Sequence, residues 1–206
     1  MKHTMHRAAG IVLGASVVFG LTFAPVPPTA GQTPAREQAD PLAGLTIKQQ
    51  EMVVAFQERA KDYSKLRESI EDKMPQLAKE STPEQIDAHK TGFEKRVRAA
   101  RVGAKHGELF TPDIAAYIRA KIKSEYRGRA LKELRAAVLE ADTKGVTVRV
   151  NYVYPDSKEL VEMPPTLLLK LPSLPKQLRY RFVGRNMLLV DRENGLIIDY
   201  MLKALP

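Results

Sequence analysis

The hydrophobic period of this chain changes once, and that change restricts the folds it can adopt. Between residues 46 and 141 apolar side chains recur every three to four positions, the period of an amphipathic helix. From Val146 they alternate with polar ones, which is typical of half-buried strands. Helices that precede strands favour the α+β class. We therefore predict three to four N-terminal helices followed by a small antiparallel β-meander.

Three threonines mark the predicted helix starts. Thr46 and Thr82 each have a glutamine three residues later, the spacing of a capping box. Thr82 and Thr111 are each followed by a proline, which suits the first helical position. Arg67 interrupts the apolar stripe of the first helix, which should end or kink before Pro75.

The stripe of the third helix continues to about Ala141. Gly128 lies within it, and either breaks the helix or is tolerated at a cost of about 1 kcal/mol relative to alanine. Residues 142–145 then predict a turn that leads into the strands.

The C-terminal third predicts a sheet interrupted by a crossover. The predicted strands cover residues 146–154, 159–163, 178–183, 187–191 and 196–202. The prolines of residues 164–175 exclude a regular central strand, so we expect this segment to cross over and pack its leucines on the sheet. Asn194 and Gly195 predict a tight turn.

The N-terminus has the composition of a secretion signal. Two basic residues and no acid in residues 1–7 precede 17 uncharged residues, and a stretch rich in proline and small residues follows. Seventeen residues are just enough to span a bilayer, so retention as a membrane anchor is the alternative to cleavage. We predict an exported protein, periplasmic or extracellular, with this order: signal peptide or anchor 1–30, linker 31–44, helical region 45–142 and β-module 143–206.

The absence of cysteine excludes several kinds of site. Disulfides, thiolate nucleophiles, iron–sulfur clusters and cysteine-ligated zinc are all ruled out. The chain also lacks a Gly-x-Ser-x-Gly elbow, a phosphate loop and a dinucleotide fingerprint. His106 and Glu108 could form half of a metal site, whereas His89 lies on the apolar face of a helix. We predict no catalytic, cofactor or metal residue.

Basic residues are the candidate binding feature. Beyond residue 30 the chain carries 31 Lys and Arg against 24 Asp and Glu. Two sets are dense enough to bind an anionic partner: Lys95, Arg96, Arg98, Arg101 and Lys105, then Lys121, Lys123, Arg127, Arg129 and Lys132. Few aromatic residues accompany them, so we do not expect nucleic acid. The alternative is that these charges only keep a helical surface soluble.

The C-terminal segment carries a more specific pattern. Prolines at 164, 165, 172 and 175 lead into the strand sequence LRYRFVG at 178–184, followed by MLLVD at 187–191 and LIID at 196–199. This pattern resembles the β-module of uncharacterised bacterial exported proteins, and loosely that of periplasmic nickel/cobalt homeostasis proteins. The resemblance covers about 45 of the 206 residues. It implies a meander and no ligand residues.

These observations lead to one expected function and two alternatives. We expect a non-enzymatic protein of the cell envelope with a binding or structural role, in which basic helices contact anionic envelope components. Contact with a membrane is expected only through an uncleaved anchor. A metal-responsive periplasmic protein is one alternative, and a hydrolase of unknown type is the other.

Overall fold

Four helices and then a sheet follow one another along the chain. The computed structural model describes residues 44–158 and 161–205. The four long helices are α1 (Ile47–Glu71), α2 (Pro83–Ala100), α3 (Pro112–Glu125) and α4 (Gly128–Glu140). The remaining elements are β1 (Val161–Glu162), α5 (Pro165–Leu168), β2 (Leu178–Val183), β3 (Asn186–Asp191) and β4 (Ile197–Met201). The α+β prediction is therefore confirmed. The predicted signal peptide or anchor and nearly all of the predicted linker lie outside the described residues.

The first two helices begin at the predicted capping boxes. Thr46 Oγ1 accepts from the Gln49 backbone N–H at 3.3 Å, and the Gln49 side chain accepts from the Thr46 N–H at 3.1 Å. Thr82 and Gln85 repeat this exchange at 3.3 and 2.8 Å. These caps satisfy backbone N–H groups that have no partner within the helix. Thr111 makes no such side-chain bond, although α3 does begin at Pro112.

Gly128 breaks the third helical stripe into two helices. Its φ is +54°, a left-handed conformation that costs glycine little. Tyr126 and Arg127 before it are both extended, so α3 ends at Glu125 and α4 begins at Gly128.

The sheet is an antiparallel meander. Its four strands are hydrogen-bonded in the order β1-β2-β3-β4. Strands β2 and β3 pair over their full length, from Leu178 opposite Asp191 to Val183 opposite Asn186. Of the strand predicted at 159–163, residues 159 and 160 lie outside the described residues, and Val161–Glu162 form β1.

The strand predicted at residues 146–154 is wrong. Asn151 has a φ of +62°, and the Tyr152 N–H donates to the Arg149 carbonyl at 3.2 Å, so the segment turns at its centre. Its backbone pairing with the sheet is limited to a few bonds, such as Asn151 N–H to the Ile197 carbonyl at 2.9 Å. The turn persists because the Asn151 side chain bonds to Arg101, a contact between segments that local alternation does not reveal.

The crossover packs only part of its leucines inward. Leu167 and Leu171 are buried, as predicted for a segment that covers the sheet. Leu168 and Leu169 are exposed, because the short helix α5 turns them to solvent.

Helices and sheet share one hydrophobic core. The described residues belong to a single compact unit. Its main cluster joins Phe56 and Phe93 from the helices with Phe182 and Leu189 from the sheet. A smaller cluster on the other face of the sheet is covered by residues 146–154. Within the described ranges, no helix is both long and apolar enough to cross a membrane.

Candidate functional site

A cavity of about 630 Å³ opens where α2, the loop after it, the turn at residues 149–152 and β4 meet. The end of α2 and its loop supply four lining residues, the turn supplies four more, and β4 supplies one. These residues are Arg98, Val102, Ala104, His106, Arg149, Val150, Asn151, Tyr152 and Tyr200. We call this the α2–β4 cavity.

Two arginines give the α2–β4 cavity a positive character. The Arg149 guanidinium lies 5.1 Å from the ring centre of Tyr152 and donates to its hydroxyl at 3.2 Å. The Arg98 side chain is 48% exposed, and its Nη2 lies 2.5 Å from Glu94 Oε1. No carboxylate, serine or threonine occurs among the described lining residues. The cavity is therefore suited to an anion and lacks the usual nucleophiles.

Two stacked aromatic rings also line the cavity. His106 stacks on Tyr200, with ring centroids 4.1 Å apart and planes 19° apart. His106 is exposed and Tyr200 is half-buried, so the stacked pair presents a flat, partly solvated surface to the cavity.

Arg101 does not line the cavity but connects three of the segments that form it. Its Nε donates to Asn151 Oδ1 at 3.1 Å, and its Nη2 donates to the Ile198 carbonyl at 2.8 Å. The Asn151 side-chain amide in turn donates to the Arg101 carbonyl. Burial lowers the pKa of the Arg101 guanidinium, and Tyr63, Glu108 and Asp199 oppose that shift. One side chain thus connects α2, the turn and β4.

Asp199 fixes the loop that carries His106. Its two carboxylate oxygens accept from the backbone N–H groups of Gly107, Leu109 and Phe110 at 2.8–2.9 Å, and from its neighbour Tyr200 at 2.8 Å. Asp199 is fully buried. A buried carboxylate with four donors holds its loop firmly, because each donor would lose a charge-assisted bond if the loop moved.

The ten predicted basic residues do not converge on one cavity. Arg98 lines the α2–β4 cavity, and Arg101 bonds to Asn151, which also lines it. Lys123 and Arg127 line a second cavity of about 430 Å³ beside Leu131. The remaining six lie elsewhere on the helices and their connections: Lys95, Arg96, Lys105, Lys121, Arg129 and Lys132.

Two of those six contact neighbours on their own helix. Arg129 forms an ion pair with Glu133 at 2.6 Å, and the Lys121 ammonium lies 5.2 Å from the ring centre of Tyr117. The other four are exposed on the protein surface.

The histidines considered as metal ligands do not join a ligand set within the described part of the chain. There, no group of three or more His, Cys, Asp or Glu side chains is close enough to hold a metal ion. His89 is half-buried on α2, and His106 packs on Tyr200.

Residue-by-residue interpretation missed most of the α2–β4 cavity. Sequence alternation predicts one strand over Arg149, Asn151 and Tyr152 and another over Tyr200, and does not indicate that these residues meet. Asn151 between Val150 and Tyr152 forms none of the dipeptides that signal a turn. The site arises from long-range contacts, so no local signal identifies it.

Comparison with known protein families, with functionally characterised proteins and with experimentally determined structures found no match.

Proposed function

We propose that this chain is an exported, non-enzymatic protein of the cell envelope that binds an anionic envelope component through exposed cations on its helical half. One observation carries the proposal. Eight of the ten predicted basic residues form no ion pair with a carboxylate among the described residues. One of the eight, Arg101, is committed to hydrogen bonds with Asn151 and the Ile198 carbonyl, so the charge of the other seven is available to another molecule. These seven, which we call the unpaired cations, are Lys95, Arg96, Lys105, Lys121, Lys123, Arg127 and Lys132.

The surroundings of two unpaired cations favour a surface that is partly apolar as well as anionic. Lys123 and Arg127 border the cavity of about 430 Å³ that Leu131 and Tyr126 also line. Cationic groups beside apolar side chains match the boundary between lipid headgroups and acyl chains. We therefore extend the expected membrane contact from an uncleaved anchor to this surface, which export would direct towards the anionic lipids of the envelope.

Vesicle sedimentation tests the binding. Protein without residues 1–30 is mixed with phosphatidylcholine vesicles that contain or lack phosphatidylglycerol, at increasing salt. We expect binding only to the anionic vesicles, and weaker binding at high salt because ions screen exposed charges. No sedimentation with either vesicle would overturn the proposal.

A charge-matched pair of variants locates the surface. The triple variant Lys123→Gln, Arg127→Gln, Lys132→Gln should bind roughly 100-fold more weakly, at about 1 kcal/mol for each cation near an anionic surface. The control removes three exposed lysines elsewhere: Lys48→Gln, Lys170→Gln and Lys176→Gln. Equal losses in the two triple variants would show that net charge, and not this part of the helices, determines binding.

Fractionation of cells tests the export. A C-terminally tagged chain should be recovered outside the cytoplasm, and its N-terminal sequence shows whether the signal is cleaved. Replacement of Val17 and Val18 by arginine should keep the tagged chain in the cytoplasm, because charges in the apolar segment oppose membrane insertion. Replacement of both by alanine is the control. Recovery of the tagged native chain in the cytoplasm would contradict export.

A further inference from the structure

We propose that the α2–β4 cavity is a binding site for a phosphate ester. The phosphoryl group would contact the guanidinium groups of Arg98 and Arg149, and the organic part would lie against the ring of Tyr200. This inference rests on the cavity and stands independently of the unpaired cations, because Arg98 and Arg149 are not among them.

The lining of the α2–β4 cavity favours an anion, because its described residues carry two guanidinium groups and no carboxylate. Three acids lie nearby: Glu94 pairs with Arg98, and Glu108 and Asp199 are close enough to influence Arg101. Arg98, Arg101 and Arg149 match these acids in number, and only the arginines Arg98 and Arg149 among these six groups line the cavity. Arg98 and Arg101 at the carboxyl end of α2 also more than offset the partial negative charge of the helix terminus.

Two arginines from separate segments suit a phosphate better than a carboxylate. One guanidinium can satisfy both oxygens of a carboxylate in a bidentate pair. A phosphate monoester has three acceptor oxygens and more charge, so it can engage Arg98 from α2 and Arg149 from the turn together. Arg149 donates one N–H to the Tyr152 hydroxyl. This bond orients the guanidinium and leaves its other N–H groups for a ligand.

The size and the remaining lining indicate that the phosphate bears an organic group. The cavity of about 630 Å³ lies within the range of about 300–1,000 Å³ typical of small-molecule sites, far more than inorganic phosphate fills. Val102, Val150 and the stacked rings of His106 and Tyr200 offer apolar and flat surfaces. Such surfaces stabilise a ring or a short apolar chain by removing it from water.

Buried polar contacts hold the α2–β4 cavity in place before any ligand arrives. Arg101 joins Asn151 to the backbone of β4, and Asp199 holds the loop of His106 through backbone N–H groups. Asn151 keeps a left-handed φ of +62°, an unusual conformation for a residue with a side chain. A site fixed in this way loses little conformational entropy when it binds.

Calorimetric titration with phenyl phosphate tests the site, with inorganic phosphate and phenylacetate as comparison ligands. We expect phenyl phosphate to bind most tightly, since it alone combines a phosphoryl group with a ring. Arg149→Gln should weaken its binding by at least about tenfold, because a charge-assisted bond to the ligand is lost. Arg192→Gln removes another exposed arginine with one hydrogen bond and should leave the affinity unchanged.

Vesicles of phosphatidylcholine with and without phosphatidic acid distinguish the two sources of a phosphate ester. If the ligand is a lipid headgroup, binding to phosphatidic acid is lost in Arg149→Gln and displaced by phenyl phosphate. If it is a soluble ester, phenyl phosphate binds and Arg149→Gln leaves vesicle binding intact. No phenyl phosphate binding, equal binding of phenylacetate, or full affinity in Arg149→Gln would each overturn the proposal. The vesicle comparison is made in the triple variant Lys123→Gln, Arg127→Gln, Lys132→Gln, so that binding through those cations contributes as little as possible, and the titration with phenyl phosphate involves none of them.

Discussion

Arg67 on α1 and Asp191 at the end of β3 form a buried ion pair, with Nε and Oδ2 3.0 Å apart and side chains 7% and 0% exposed. Tyr63, one helical turn before Arg67, donates its hydroxyl to the same Oδ2 at 2.6 Å. The other oxygen of Asp191 accepts from the backbone N–H groups of Glu193 and Asn194. The pair therefore connects the first helix to the end of strand β3.

Removal of the Asp191 carboxylate should destabilise the protein strongly. Arg67 also pairs with Glu71 at 3.2 Å and with Glu193, whose side chains are 44% and 40% exposed. In Asp191→Ala the guanidinium would stay buried and lose its one fully buried partner, so we expect a cost of about 3 kcal/mol in the free energy of unfolding, the lower end for a broken buried pair. Urea denaturation followed by circular dichroism measures this loss. Glu58→Ala breaks the exposed pair with Lys61 and should cost less than about 1 kcal/mol.

A double variant separates the ion pair from simple loss of packing. Arg67→Met combined with Asp191→Leu removes both charges and keeps apolar volume, so it should be more stable than Asp191→Ala alone. A double variant as unstable as Asp191→Ala would contradict loss of the buried ion pair as the cause.

Tyr63 should make the protein less stable at alkaline pH. Burial, and then the neighbouring Asp191 carboxylate, raise the pKa of the Tyr63 phenol well above its usual value near 10, against the opposing effect of Arg101 and Arg67. The folded protein thus keeps a proton that the unfolded chain loses above about pH 10. Stability is full below that pH and declines as pH rises, by up to about 1.4 kcal/mol per pH unit for this one group.

Tyr63→Phe tests this by making the decline less steep. At neutral pH the variant should be less stable than the parent by about 1 kcal/mol, because its hydrogen bond to Asp191 is lost. As the pH rises above about 10, the free energy of unfolding should fall less in the variant than in the parent. Burial also raises the pKa of Tyr117 and Tyr180, so some alkaline decline should remain. Tyr152→Phe alters a tyrosine that is 43% exposed and should not change the slope. Parallel curves for Tyr63→Phe and the parent would contradict the assignment.

The features predicted correctly from sequence are those determined by neighbours in the chain. Thr46 and Thr82 cap their helices because the required glutamine lies three residues away. Strand β2 was predicted with its observed bounds, because its alternation is bordered by a proline-rich segment and by Gly184.

The features that sequence did not reveal depend on distant partners. Arg67 interrupts an apolar stripe and yet is buried, because it pairs with Asp191, which lies 124 residues later in the chain. Residues 146–154 alternate like a strand, but the bond from Asn151 to Arg101 makes them turn. The α2–β4 cavity combines both kinds of contact, so only the folded chain brings Arg149, His106 and Tyr200 together.

Asp199 should control the order of the loop that carries His106. Asp199→Asn replaces one acceptor oxygen by an NH₂ group that faces backbone donors, which should cost about 2–3 kcal/mol of stability. Gly107 bonds to Oδ1, and Leu109 and Phe110 bond to Oδ2. Hydrogen exchange should therefore accelerate at whichever of these amides bond to the replaced oxygen, because they lose their acceptor.

The matched control for Asp199→Asn is Asp156→Asn. The side chain of Asp156 is 82% exposed and pairs with Lys90 across the surface, so the change should cost less than about 1 kcal/mol. Unchanged exchange at the loop amides in Asp199→Asn would contradict the role given to this carboxylate. Faster exchange should accompany weaker binding of phenyl phosphate, because the wall formed by His106 would no longer be fixed.

Two glycine-to-alanine changes should alter stability in opposite directions. Gly92 lies inside α2, where an added Cβ would meet only Met74 Cε at an ordinary 3.8 Å, so Gly92→Ala should stabilise by about 1 kcal/mol through helix propensity. Gly128 has open space around it but a φ of +54°, so Gly128→Ala should destabilise by about 1–2 kcal/mol through backbone strain alone. Urea denaturation of both variants measures the difference. If Gly128→Ala instead raises stability and helix content, α3 and α4 join into one continuous helix, and the break between them is not determined by the conformation of this glycine.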